Sequence, residues 1–121
     1  MSAFQNNTLS RTMHASRLLA QVVLSTVDTV IYICPTDKIA TVMHIVVCNT
    51  DTVARTYRVH HCLPNDAASV RNAQFYDARL ANSVSVIDDT QRPMLQGETL
   101  RGRASAGSVV AVSVYGTESI A

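Results

Sequence analysis

Residues 40–49 (ATVMHIVVCN) are apolar on both alternating faces of an extended chain. Thr41, Met43, Ile45 and Val47 fall on one side, and Val42, His44, Val46 and Cys48 on the other. Such a strand needs cover on both sides. It belongs in the middle of a packed sheet, or under a neighbouring subunit.

The same period of two runs through the rest of the chain from residue 26. Residues 29–34 (TVIYIC) form a strand stopped by Pro35, which cannot donate to a ladder. Residues 35–38 form a turn with Pro35 at its second or third place. Asn49-Thr50-Asp51-Thr52 has hairpin-turn composition, and residues 53–62 (VARTYRVHHC) alternate cleanly after it. Residues 63–72 read as a loop with one helical turn, capped by Asn65 or Asp66. Strands follow at 74–80 and 83–87. A loop then reaches Pro93, and residues 94–96 lead into the Gly97-Glu98 turn. Residues 99–104 and 109–115 are the last strands, with Val110, Val112 and Val114 facing the core. About eight short strands at near-regular spacing, with no interior helix, predict an all-β fold, an antiparallel β-sandwich or small barrel.

Composition supports one such domain. The chain has 121 residues, 16% charged and 47% hydrophobic. Ser, Thr and Val take the place of the missing charge. Residues 25–121 are expected to form the β-sandwich, and residues 1–24 an N-terminal arm. In that arm, Leu18, Leu19, Val22 and Val23 fit either a short helix or an extended segment packed on a neighbour.

A net charge of +1 and a pI near 7.8 create no field to steer nucleic acid, and the nine Arg are scattered. Arg101 and Arg103 are the one close pair, and they fit a solvated strand face. Apolar runs of about five residues are too short to cross a membrane as a helix. Arg11, His14 and Arg17 break up the only stretch that resembles a signal peptide, so synthesis in a reducing cytoplasm is expected. Cys34, Cys48 and Cys62 are odd in number, without a CxxC, and are expected to be free thiols.

The chemistry of catalysis is missing from the sequence. There is no GxSxG, no phosphate-binding glycine loop, and no Cys–His pair in a loop. Asp88 and Asp89 are neighbours that an extended segment points apart. His60 and Cys62 share a strand face, with His44 on the preceding strand, but two converging ligands fall short of the three or four that zinc takes. No enzyme activity, metal or cofactor is expected.

The order of segments carries a resemblance. Residues 29–35, then Asp37-Lys38-Ile39-Ala40 and Ile45-Val46-Val47-Cys48-Asn49, resemble a pattern in small virion proteins of tailed bacteriophages. Phe75-Tyr76-Asp77-Ala78-Arg79-Leu80, the run from Gln96 to Gly107, and Val112-Ser113-Val114-Tyr115-Gly116-Thr117-Glu118 are similar to that group's later segments. The resemblance covers about residues 27–119. In this chain Asp37 stands for the usual Gly, Arg79 for the usual Pro, and Gly102 interrupts a strand.

The resemblance implies a structural protein of the virion, either a capsid decoration (cement) protein or a tail- or fibre-associated sandwich with a receptor-binding role. A cement protein would sit on the capsid surface. It would bind the major capsid protein and itself, as a dimer or trimer, without nucleic acid or membrane. The residues expected at such an interface are Leu18, Leu19, Val22, Val23, Arg101 and Arg103.

Overall fold

A computed structural model of the chain describes residues 16–121. It contains nine strands: β1 (Arg17–Val23), β2 (Thr29–Ile33), β3 (Lys38–Asn49), β4 (Arg55–Cys62), β5 (Ala73–Leu80), β6 (Ser85–Asp88), β7 (Arg92–Met94), β8 (Thr99–Ala104) and β9 (Val110–Ile120). A short 3₁₀ turn, Val70–Asn72, precedes β5.

Two antiparallel sheets face each other. The first runs β1-β9-β3-β6, with β7 pairing β3 beside β6, and the second runs β2-β8-β4-β5. The pairs β1–β9, β2–β8, β3 with β6 and β7, and β4–β5 are nested. The chain is therefore one long antiparallel hairpin rolled up so that successive pairs fall in alternate sheets. This is jelly-roll topology, one of the ways a double sheet manages its edges.

Binary alternation decides which side of each strand faces inward. Val110, Val112 and Val114 of β9 are fully buried, as their spacing predicts. They meet Ala40, Val42, Ile45 and Val47 of β3 and, from the other sheet, Tyr57, Val59 and Leu100. The register of β3 against β9 slips between Val42 and His44. That bulge lets Val42 and Ile45, an odd step apart, both point inward.

Two glycines answer to close packing. A Cβ at Gly116 would lie 2.1 Å from the Thr41 carbonyl oxygen, and one at Gly102 would lie 2.6 Å from the Arg58 carbonyl oxygen. Gly102 therefore does not weaken β8 as an interruption. It is the residue that lets β8 and β4 approach.

A polar hub lies in the interior. Asn49, expected in a hairpin turn, is fully buried at the end of β3. Its Nδ2 donates to the carbonyls of Val53, Leu80 and Ala81 at 2.9–3.2 Å, and its Oδ1 accepts from the Asp51 amide at 3.0 Å. One side chain thus ties β3, the approach to β4 and the end of β5 together, with its hydrogen-bonding capacity used.

The structure corrects several sequence expectations. Of the two conformations open to residues 17–23, helical and extended, the structure takes the extended one. They form β1, an edge strand in register with β9, from Arg17 opposite Gly116 to Val23 opposite Ala111. Leu24, at the end of the expected arm, is fully buried in the core. The propensity of a seven-residue segment is too weak to hold a helix against a ladder and a hydrophobic core. The rest of the arm, residues 1–15, lies outside the described residues. The helical turn of the 63–72 loop lies at its end and is capped by Ser69, not Asn65 or Asp66. In the 35–38 turn, the Lys38 amide reaches the Pro35 carbonyl at 3.2 Å, so Pro35 takes first place. Asp37 there has φ +61°, the left-handed conformation that the expected Gly adopts more readily.

Candidate interaction surfaces

The two outer faces of the sandwich differ in chemistry. On the first sheet, Leu18, Gln21 and Val23 of β1 lie beside Ala111, Ser113 and Tyr115 of β9. Next come His44, Val46 and Cys48 of β3, then Ile87 and Ser85 of β6. These outward positions contain no Lys, Arg, Asp or Glu. At their centre His44, Val46, Ile87 and Tyr115 line a shallow, mainly apolar depression. Ile87 is 68% exposed and Val23 54%.

The outer face of the second sheet is built from charge. In the β4–β8 register, Arg58 lies opposite Arg103 and His60 opposite Arg101. Like charges placed directly across a ladder repel. Two of these guanidinium groups are neutralised locally. Arg101 donates to Asp28 at 3.1 Å. Arg58 makes a forked pair with Asp77, Nε to Oδ1 at 2.7 Å and Nη2 to Oδ2 at 3.0 Å. The hydrogen bond from Arg58 holds the Asp77 carboxyl below the usual carboxylate range.

A β-bulge makes the Arg58 site. Between the pairs Tyr57–Ala78 and Val59–Phe75, β4 spends one residue, Arg58, and β5 spends two, Tyr76 and Asp77. Asp77 takes φ +53° to absorb the extra residue. Both bulged side chains reach Arg58: Asp77 by its carboxylate, and Tyr76 by its ring, 3.9 Å from the guanidinium carbon. This is cation–π stacking at a partly exposed site.

His60 and Cys62 lie on this face and are nonetheless buried. The 63–72 loop folds over them. His60 Nδ1 lies 3.0 Å from the Ser69 carbonyl oxygen and 2.9 Å from Asn72 Oδ1. Burial pushes the thiols of Cys62 and Cys34 above their ordinary range. Such thiols are poor nucleophiles. Cys34, Cys48 and Cys62 are free. Among the described residues, no cluster of three or more His, Cys, Asp and Glu is placed to hold a metal. Asp88 forms an ion pair with Arg92, the buried arginine of β7.

The six expected interface residues do not form one patch. Leu18 and Val23 are exposed on the uncharged outer face of the first sheet. Leu19 and Val22 of the same strand pack against the core. Arg101 and Arg103 lie on the second sheet's outer face. Sequence reasoning missed Val46, Ile87 and Tyr115, because single outward apolar residues on separate strands carry no joint signal until the strands are paired. It also missed the Arg58–Tyr76–Asp77 cluster, which depends on a bulge.

The fold and surfaces define an all-β jelly-roll sandwich with one uncharged face and one charged face. No protein-family model matches the chain, and no curated protein matches it. Among solved structures, it is similar to a pentameric capsid protein isolated from metagenomic phage sequences, with 14% identity and a TM-score of 0.44. That alignment covers 89% of this chain and 66% of the other, so the chain spans just under two thirds of its neighbour's length.

Proposed function

We propose that this chain is a structural protein of a bacteriophage virion, of the capsid decoration type, which acts by packing against copies of itself and against the major capsid protein. The uncharged outer face of β1-β9-β3-β6 carries the reading. A face without Lys, Arg, Asp or Glu can meet an identical face without bringing like charges together, as a two-fold contact requires. It also removes apolar area from water on contact. A second copy of the chain is the occupant this face fits. The order of motifs over residues 27–119 supports the virion setting, and jelly rolls recur in viral capsid domains.

The role on the particle is mechanical. Subunits spanning junctions of the capsid lattice add interface across them, and many weak contacts on one shell act together. The test is quantitative mass spectrometry of purified particles of a phage that encodes this chain. A copy number comparable with that of the major capsid protein is expected. A handful of copies per particle would move the protein to the tail, and absence from the particle would overturn the reading.

A further inference from the structure

The outer face of the second sheet holds a hollow of about 280 Å³, lined by Asp28, Arg58, His60, Ser69, Tyr76 and Arg103, among other residues. Its polar groups are complementary to one kind of ligand. Arg103 has no carboxylate within ion-pair distance among the described residues, although Arg58 and Arg101 beside it each have one. One cation is therefore left over in the hollow. A carboxylate accepts a forked hydrogen bond from such a guanidinium.

His60 and Asp28 supply acceptors. Asn72 Oδ1 takes a hydrogen bond from the Ser69 amide, so the atom facing His60 is an oxygen. With two oxygens against it, His60 Nδ1 must carry the hydrogen. In the tautomer this fixes, Nε2 is the acceptor. That nitrogen has no hydrogen-bond partner among the described residues, although His60 is only 4% exposed. A buried acceptor without a donor is costly unless something fills it. Asp28 Oδ2 bonds Arg101, and Oδ1 has no partner among the described residues. Tyr76, 49% exposed, adds an aromatic surface at the hollow's edge.

We propose that this hollow binds an acidic sugar residue, whose carboxylate pairs with Arg103, whose hydroxyls donate to His60 Nε2 and Asp28, and whose carbon face lies against Tyr76. One charged acceptor, several hydroxyl donors and an apolar ring face on a single small molecule match the Arg, the two acceptors and the aromatic. A volume of this size takes one monosaccharide, not an extended chain. The strained Asp77 backbone fits a built site, because it holds Arg58 and Tyr76 in place at the hollow's wall. Such sugar binding is separate from the structural role on the virion.

The test is a chemical-shift titration of the ¹⁵N-labelled full chain with glucuronate and, separately, with N-acetylneuraminate. Glucose and acetate serve as controls. Saturable shifts at Arg58, His60, Ser69, Tyr76 and Arg103 are expected with at least one acidic sugar, and the tighter of the two names the sugar. Glucose should leave these signals in place. Arg103→Gln should keep the dispersed spectrum of the folded protein and weaken binding about tenfold or more. Three results would each overturn the proposal: no saturable shift with either acidic sugar, undiminished binding by Arg103→Gln, or acetate binding at this hollow as tightly as the sugars.

Discussion

The Tyr32 hydroxyl of β2 donates to Glu118 Oε2 of β9 at 2.5 Å, and so joins the two sheets across one end of the sandwich. Glu118 Oε1 accepts in turn from Arg17 of β1 at 2.9 Å. One carboxylate thereby ties the first strand, the second strand and the last. Burial and then the Glu118 bond push the Tyr32 phenol well above its ordinary range, so it stays a donor at all physiological pH. Tyr32→Phe should lower unfolding stability by about 1–3 kcal/mol, the cost of stranding a charged acceptor. Urea denaturation measures the loss. In a double-mutant cycle with Glu118→Ala the two effects should fall short of additive, since each change removes the same bond.

Asn49 answers three carbonyls with one amide group, its bond to Leu80 buried and those to Val53 and Ala81 partly buried. Asn49→Leu keeps the size and strands all three. A loss of about 3 kcal/mol or more is expected, enough to leave a marginal domain partly unfolded. Thermal unfolding followed by circular dichroism reads it. A variant as stable as the wild type would mean that water satisfies those carbonyls.

Acid should weaken the fold through three aspartates. The hydrogen bond from Arg55 holds Asp51 below the ordinary carboxylate range, and that from Arg58 does the same for Asp77. Burial pushes Asp88 up, but hydrogen bonds from Arg92 and Thr90 outweigh it and leave Asp88 lowered as well. A carboxyl whose folded pKa is depressed stabilises the fold above its unfolded value, near 3.9, and loses that contribution as pH falls through the folded value. Denaturation midpoints should fall as the pH drops below about 4. Asp77→Asn should remove part of that fall.

The uncharged face separates association from folding. Ile87 is exposed on an edge strand, and Val46 points outward from β3 beside it. Val46→Arg and Ile87→Arg should each change unfolding stability by less than about 1 kcal/mol. Together they should bring like charges into the proposed two-fold contact and shift the chain to monomer in sedimentation velocity. Equal association of wild type and the double variant would place the contact elsewhere.

Val112→Asp tests the facing of β9. The side chain is fully buried between the sheets, and an unpaired carboxylate there costs several kcal/mol. Loss of the folded baseline is expected in near-ultraviolet circular dichroism.

Strand existence was legible because alternation is a local property. Residues 99–104 were expected as a strand and are β8 with the same bounds, and the inward Val110, Val112 and Val114 followed from spacing alone. Leu18, Leu19, Val22 and Val23 show where locality ends. Their spacing suited a helix as well as an extended segment. The ladder with β9 chose the strand and divided the four residues between two faces.

Only the paired sheets reveal the remaining features. Arg58 and Tyr76 are eighteen residues apart in sequence, and no pattern in either strand announces a bulge that places one over the other. Arg58 and Arg103 became neighbours through the β4–β8 register. His44, Val46, Ile87 and Tyr115 came together across three strands.

By itself the sequence determined the all-β class, most strand positions and the inward face of the last strand, because an extended chain alternates its side chains whatever its partners. Tertiary structure alone decided the nested strand order, the uncharged and charged outer faces, and the unneutralised Arg103. Each of these depends on which strands lie side by side, and pairing is set by closure of the whole core between two sheets.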